Sequence, residues 1–211
     1  MALLAGCAKK KDAGNEVLYE KLDESVVVDI DRLEERAGTW YFGANSFTFW
    51  GIGVSSHDNG KKKDEVTFKD GKKHGLGTGW YENGQKSYEL TFNDGKEDGL
   101  LTEWFEDGQK RWESTYKDGK RDGLSIWWHK NGQKEEEATY KAGILMSATV
   151  WKPSGEKCPD TNLVDGTGIV CRYWENGQKR YESTFKDGKL ISEKRWDEDG
   201  NPKWPPTLII F

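Results

Sequence analysis

Few residues in this chain are equipped for covalent or metal chemistry. The 211 residues hold three cysteines (Cys7, Cys158, Cys171) and three histidines (His57, His74, His129). No histidine shares a metal-ligand spacing with a Cys, Asp or Glu cluster. Each sits beside a turn signal or at a strand end and reads as a solvated turn residue. There is no G-x-S-x-G elbow, no P-loop, and no G-x-G-x-x-G between a strand and a helix. Residues 75–79 (Gly-Leu-Gly-Thr-Gly) are glycine-rich, but they lie between two strands with no helix after them, so they make no phosphate cradle. Carboxylates are abundant because Glu is, and a paired acid site needs a shielded cleft that spacing alone does not reveal. The expectation is a non-enzyme with no catalytic residues, no metal and no cofactor.

The cysteines divide into two groups. Leu4-Ala5-Gly6-Cys7 looks like a bacterial lipobox, whose Cys is diacylated and becomes the mature N-terminus. That predicts an envelope protein touching the membrane only through a lipid on Cys7; the alternative is a cytoplasmic protein. With Cys7 lipidated, Cys158 and Cys171 remain as an even pair in an oxidising compartment. Their midpoint falls between Val164 and Asp165, so a symmetric hairpin turning through residues 164–166 would set them opposite one another. The spacing predicts a Cys158–Cys171 disulfide worth roughly 3 kcal/mol at most. The alternative is a pair of free thiols.

Whatever these side chains do, a repeat must position them. Residues 100–123 read LLTEWFEDGQKRWESTYKDGKRDG, residues 76–99 read LGTGWYENGQKSYELTFNDGKEDG, and residues 124–147 are a further copy. Gly60, Gly84, Gly108 and Gly132 recur every 24 residues, as do Gly71, Gly95, Gly119 and Gly143. Such a period marks a stacked array in which each unit needs its neighbours to bury its apolar side. Within a unit, two runs alternate with period two and are rich in Trp, Tyr, Phe and Thr, which predicts strands. Between them stands Asn-Gly or Asp-Gly, at Gly60, Gly84, Gly108, Gly132 and Gly177; such pairs tolerate positive φ at both central positions and so close a tight hairpin, with positive φ expected at the glycine. A second turn follows at Gly71, Gly95, Gly119 and Gly188. The expected fold is all-β: an elongated antiparallel meander of β-hairpin repeats, a single twisted sheet with terminal caps.

Stacking turns recurring positions into columns. Trp80, Trp104, Trp128 and Tyr173 share one slot, while Phe68, Phe92, Tyr116, Tyr140 and Phe185 share another. Glu65, Glu89, Glu113, Glu137 and Glu182 form a third, about 10 Å apart when two strands intervene. Tyr88, Trp112 and Tyr181 are the other candidate aromatic positions. An aromatic column is either a binding strip or a packing ladder that replaces the deep core a thin sheet lacks.

These units resemble the MORN-variant repeats of bacterial YwqK-like antitoxin proteins. The matching pieces are Trp-Tyr-Glu-Asn-Gly-Gln-Lys at residues 80–86 and Phe-x-Asp-Gly-Lys at residues 92–96, recurring at residues 104–120 and 174–189. A lead-in matches at residues 33–38, Tyr41, Phe47, Thr48 and Gly51, and the likeness extends over roughly residues 29–200. It implies an extended β-sheet that binds another protein and has no catalytic residues. Three functions follow as expectations: a protein-binding scaffold on an envelope lipoprotein, an antitoxin or immunity protein neutralising a partner toxin, or a carbohydrate-binding module using the Trp and Tyr columns.

The organisation read along the chain is a lipobox remnant and tether at residues 1–16, an N-terminal cap at 17–56, repeats at 57–200 and a C-terminal cap at 201–211. In the first cap, residues 26–30 read as a strand, residues 32–36 as one helical turn and residues 38–56 as two strands. Pro202, Pro205 and Pro206 are expected to stop the last unit. The register slips after Gly143: Gly155 to Gly177 is 22 residues, and Cys158 and Cys171 fall inside that shortened unit. A break in a strict repeat is where something specific is expected.

Composition suits a thin, solvated sheet. Charged residues make up 33% and hydrophobic ones 34%, with a mean hydropathy of −0.91. Disorder is opposed by 13% aromatics and regular turns. The net charge of −5 hides near balance, Lys+Arg 32 against Asp+Glu 37. No basic stripe points to nucleic acid, and no stretch is apolar enough to span a bilayer.

Overall fold

The computed structural model describes residues 10–13, 16–19, 27–42 and 48–208. Cys7 and residues 209–211 lie outside them. The described chain is strand joined by turns, with one short 3₁₀ turn at Ile30–Arg32. No helix among the described residues is long and apolar enough to cross a membrane. The all-β class and the run of antiparallel hairpins are therefore as the alternation predicts. The chain groups into two compact units, divided between Gly99 and Leu100.

In the first unit, β1 (Lys10–Ala13) pairs with β2 (Glu16–Tyr19). Strand β3 (Val27–Asp29) runs parallel to β6 (Gly51–Ser56), and β4 (Leu33–Arg36) forms a hairpin with β5 (Thr39–Phe42). The helical turn expected at residues 32–36 is therefore strand. The 3₁₀ turn precedes it, and Asp29 caps that turn by accepting from the Asp31 N–H at 3.0 Å. Strands β6, β7 (Lys62–Lys69), β8 (Lys72–Trp80) and β9 (Lys86–Asn93) follow as antiparallel neighbours. Phe49 and Phe68, both fully buried, pack 5.5 Å apart at the centre of this unit.

Strand β10 (Lys96–Trp104) contains the division. The second unit continues with β11 (Lys110–Lys117), β12 (Lys120–Trp128), β13 (Lys134–Lys141) and β14 (Ile144–Val150), again a meander. After β14 the ladder ends. Residues 157–164 have the length of a sister second strand, but Pro159 removes a ladder donor there. Only isolated bridges form, Trp151 to Lys157 and Val164 to Thr167. A separate four-stranded sheet follows: β15 (Gly168–Tyr173), β16 (Lys179–Lys186), β17 (Lys189–Trp196) and β18 (Pro202–Leu208). The prolines expected to stop the chain instead open and continue β18. An edge strand tolerates them because its outer N–H groups need no partner.

The turn glycines are left-handed as expected, and the two turn types differ in the residue before the glycine. Positive φ at both central residues belongs to the second turn: Asp70 and Gly71 have φ 50° and 74°, and Asp187 and Gly188 have 50° and 73°. These are two-residue type I′ hairpins. In the Asn-Gly turns only the glycine is left-handed: Gly60, Gly84, Gly108, Gly132 and Gly177 have φ between 78° and 89°. The preceding side chain instead accepts from the N–H two residues on, as Asn83 Oδ1 does from Gln85 at 2.9 Å and Asn176 Oδ1 from Gln178 at 2.9 Å. The result is a three-residue loop ending in a bulge glycine. Successive type I′ turns are hydrogen-bonded to each other, Gly95 N–H to Lys73 O and Gly188 N–H to Gly166 O, both at 2.8 Å.

Candidate functional site

The columns separate into those that repeat and one that does not. In the repeating set, a lysine at the start of each second strand pairs with the glutamate three residues on: Lys62 with Glu65, Lys110 with Glu113, Lys134 with Glu137 and Lys179 with Glu182. The same ammonium groups lie over the aromatic column, Lys62 over Trp80 at 5.1 Å and Lys110 over Trp128 at 5.8 Å. Trp80, Trp104 and Trp128 are all partly buried. Tyr173 is buried, with its hydroxyl 3.0 Å from Cys158 Sγ. Covered rings in a repeated Lys–Glu–Trp arrangement behave as a packing ladder, which weighs against a row of sugar-stacking platforms.

The non-repeating column lies on the opposite face, one slot inside the Asn-Gly turns. In the second strands of successive units it holds Asp64, Tyr88, Trp112, Glu136 and Tyr181. Its strand partners vary equally: Gly79 faces Asp64 and Tyr88, Trp127 faces Trp112 and Glu136, and Arg172 faces Tyr181. In the first unit Asp64 accepts from the hydroxyls of Ser55 at 2.7 Å and Tyr88 at 3.0 Å. Tyr88 lies across Gly79, where a Cβ would stand 2.2 Å from the ring. Burial, followed by the Asp64 charge and hydrogen bond, drives the Tyr88 pKa far above its ordinary value.

In the second unit this slot borders a cleft of about 380 Å³. Trp112 is buried, stacks on Trp127 at 4.6 Å and donates from Nε1 to Ser125 at 2.9 Å. Glu136 is 2% exposed and takes both arms of Arg172, Nε at 2.5 Å and Nη2 at 3.0 Å. Two further arginines lie over aromatic rings. Arg121 lies 4.8 Å from Trp112 and 5.1 Å from Tyr140, and donates to the Tyr140 hydroxyl at 3.1 Å. Arg180 lies 4.2 Å from Trp174 and 4.9 Å from Tyr181, and its buried Nε has no hydrogen-bond partner. Among the described residues neither has a carboxylate partner. Glu135 and Glu175 also line the cleft. Burial raises the Glu135 pKa; the nearby His129 lowers it and the Glu136 charge raises it further.

The histidines are not the solvated residues expected. His129 is 2% exposed, with Nε2 3.3 Å from the Trp151 carbonyl and Nδ1 3.6 Å from Glu175. His57 reaches the Trp80 carbonyl at 2.8 Å. Both occupy the first turn position, from which a ring spans to the next repeat.

Cys158 and Cys171 are both buried and are free thiols, so the expected disulfide is absent from this structure. The hairpin is centred between Asp165 and Gly166, one residue later than the sequence suggested, with Val164 and Thr167 exchanging both hydrogen bonds. Cys171 instead pairs with Glu182 on β16 and donates its N–H to Thr161 Oγ1 at 3.1 Å. Burial pushes the Cys171 thiol up to about 11. For Cys158 burial acts the same way, but hydrogen bonds from Thr161 and Tyr173 outweigh it and hold the thiol below its ordinary value.

A family model described as MORN repeat variant matches residues 73–94, 121–142 and 167–187. Those three segments are similar to that repeat, and each spans one of the hairpin turns described above. Such repeats are often protein- or membrane-binding scaffolds and are generally non-catalytic. No curated protein matches the chain significantly.

Proposed function

We propose that the chain is a non-catalytic β-repeat scaffold that binds a protein partner through the arginine-lined cleft of its second unit. The observation that carries this reading is the interrupted column. Where sister units place Tyr88, Trp112 and Tyr181, this site places Glu136 with Arg172. Around that pair Arg121 and Arg180 are held on aromatic faces, and among the described residues neither is ion-paired to Glu135, Glu175 or another carboxylate. Guanidinium groups fixed in this way present a rigid fork to a carboxylate, and Trp and Arg dominate the binding energy of protein interfaces. The complementary partner carries an acidic side chain beside an apolar one. An antitoxin would use the same surface and differ only in the partner it blocks.

The reading includes attachment to the bacterial envelope by a lipid on Cys7, supported by Leu4-Ala5-Gly6-Cys7 alone. Incorporation of labelled fatty acid that Cys7→Ser abolishes is the expected result; no incorporation would remove the anchor from the proposal. For the cleft, the full chain is immobilised and exposed to its own envelope fraction. The expected result is one protein retained at low salt, released by raised salt, and lost with Arg121→Glu or Arg180→Glu. Retention that ignores both substitutions but fails with Lys134→Glu would move the binding surface to the Lys–Glu–Trp face of the second unit.

A further inference from the structure

From the residues that gather where the repeat breaks, we infer that Cys158, Asp160 and Cys171 form a binding site for a thiophilic d¹⁰ cation of the zinc class. One ligand atom from each of the three lies within 4.8 Å of the other two.

The local chain explains the convergence. The Cys158 N–H donates to Val150 O at 2.7 Å, which ties the residue to the end of β14. Pro159 then turns the chain out of the ladder and brings Asp160 back over the same point. Thr161 Oγ1 accepts from the Cys171 N–H, and Asn162 N–H donates to Ile169 O at 2.9 Å. The segment thus lies against β15 without being a strand of it.

Burial distinguishes the three ligands. Cys158 and Cys171 are 2% and 0% exposed, among Val150, Leu163 and Val170. The Asp160 side chain is 58% exposed, so an ion enters from solvent at the carboxylate and meets sulfur behind it. Two sulfurs and one oxygen select zinc-like ions over calcium or magnesium, which need mainly oxygen. Bonds of about 2.3 Å to sulfur put two thiolates roughly 3.8 Å apart in a tetrahedron. Closure from the present separation therefore asks for a shift of about 1 Å at most. As the ion binds, the two thiol protons leave to solvent and two thiolate–metal bonds form. Two thiolates, a carboxylate and a divalent ion sum to one negative charge. Lys179, 3.4 Å from Asp160 and 3.0 Å from Glu182, stands beside it.

The full chain, fully reduced under anaerobic conditions, is titrated with Co(II) and then Zn(II). The expected result is a thiolate-to-cobalt charge-transfer band that saturates at a single equivalent and is displaced by zinc, with a zinc-dependent rise in Tm. Cys158→Ser and Cys171→Ser abolish the band. Should either variant fail to fold by circular dichroism, Asp160→Asn decides at an exposed position, weakening zinc binding by at least about tenfold. The inference is overturned if reduced, folded protein gives no thiolate–cobalt band. A band that survives Cys171→Ser, or an affinity unchanged by Asp160→Asn, overturns it equally.

Discussion

The same slot of the same repeat is polar and self-satisfied in the first unit and charged in the second. In the first, Asp64 accepts from Ser55 and Tyr88, and Gly79 makes room for the Tyr88 ring. In the second, Trp127 stands in the glycine's slot, Glu136 in the tyrosine's, and Arg172 closes on Glu136. Everything around the slot is shared: the bulge glycine, the type I′ turn and the Lys–Glu–Trp arrangement. The backbone is therefore set by what repeats, and one position is free to vary without disturbing it. That position is where a repeat scaffold can acquire chemistry of its own.

The comparison breaks hardest at Arg172. Arg172→Ala leaves Glu136 buried and unpaired, and the expected loss is about 3 kcal/mol in chemical denaturation, the lower end of the range because the Arg172 side chain is 31% exposed. Its counterpart, Tyr88→Phe, removes one hydrogen bond to a partly buried Asp64 and costs about 1 kcal/mol. Replacing Glu136 and Arg172 together by Leu restores most of the loss, since the penalty comes from an orphaned charge. If Arg172→Ala costs no more than Tyr88→Phe, the second slot is as solvated as a surface pair, and the contrast between the units fails.

The contrast was only half legible in the sequence. Period-two alternation and regular turn pairs disclosed the strands, and the bulge glycines were identifiable because each follows Asn or Asp at a fixed position. The glycines are left-handed as expected, but the sequence does not say which turn takes two left-handed residues, because Asn83 and its equivalents can either adopt αL or accept a local hydrogen bond, and they do the latter. Tyr88, Trp112 and Tyr181 mark the column in the sequence, but the glutamate that interrupts it, Glu136, gains its meaning only from its partner. That partner is hidden from the sequence, because Arg172 lies 36 residues away across the break. The burial of His129 depends likewise on the next repeat. Symmetry about a turn through residues 164–166 sets the cysteines opposite each other, but the turn sits one residue later and Pro159 breaks the ladder before it.

Gly79→Ala sharpens the first unit's side of the comparison. A Cβ would meet Tyr88 Cε1 at 2.2 Å and Cδ1 at 2.4 Å, so the ring must swing away and release Asp64. The expected cost is about 2 kcal/mol, and Tyr88→Phe added to it should cost almost nothing more, because the hydrogen bond is already lost. Full additivity of the two would mean that the ring keeps its place.

A smaller effect tests whether the scaffold really is common to both units. Gly84 and Gly177 have φ of 89° and 83°, with nothing within 4 Å of an added Cβ. Alanine at either should cost only the backbone strain, about 1 kcal/mol, and the two values should agree. Unequal Tm losses would show that the turns are not the same device, and that the slot is not the only difference between units.

The smallest effect concerns Glu135, which burial holds above the ordinary carboxylate pKa. A carboxyl group whose pKa is higher folded than unfolded favours the folded state while protonated. That contribution is complete below the unfolded pKa and is lost as pH rises through the folded one. Above that window its charge opposes folding, and beside Glu136 and Glu175 it also opposes an incoming acidic side chain. Glu135→Gln removes the titration. Its Tm should therefore exceed that of the parent at neutral pH, with the gap closing as pH falls through the carboxylate range. The side chain is only half-buried, so the gain is modest. The substitution should also tighten a partner that docks by a carboxylate, and at raised salt that gain should shrink. A Tm gap that widens on acidification would reverse the sign and place Glu135 among the stabilising charges of the cleft.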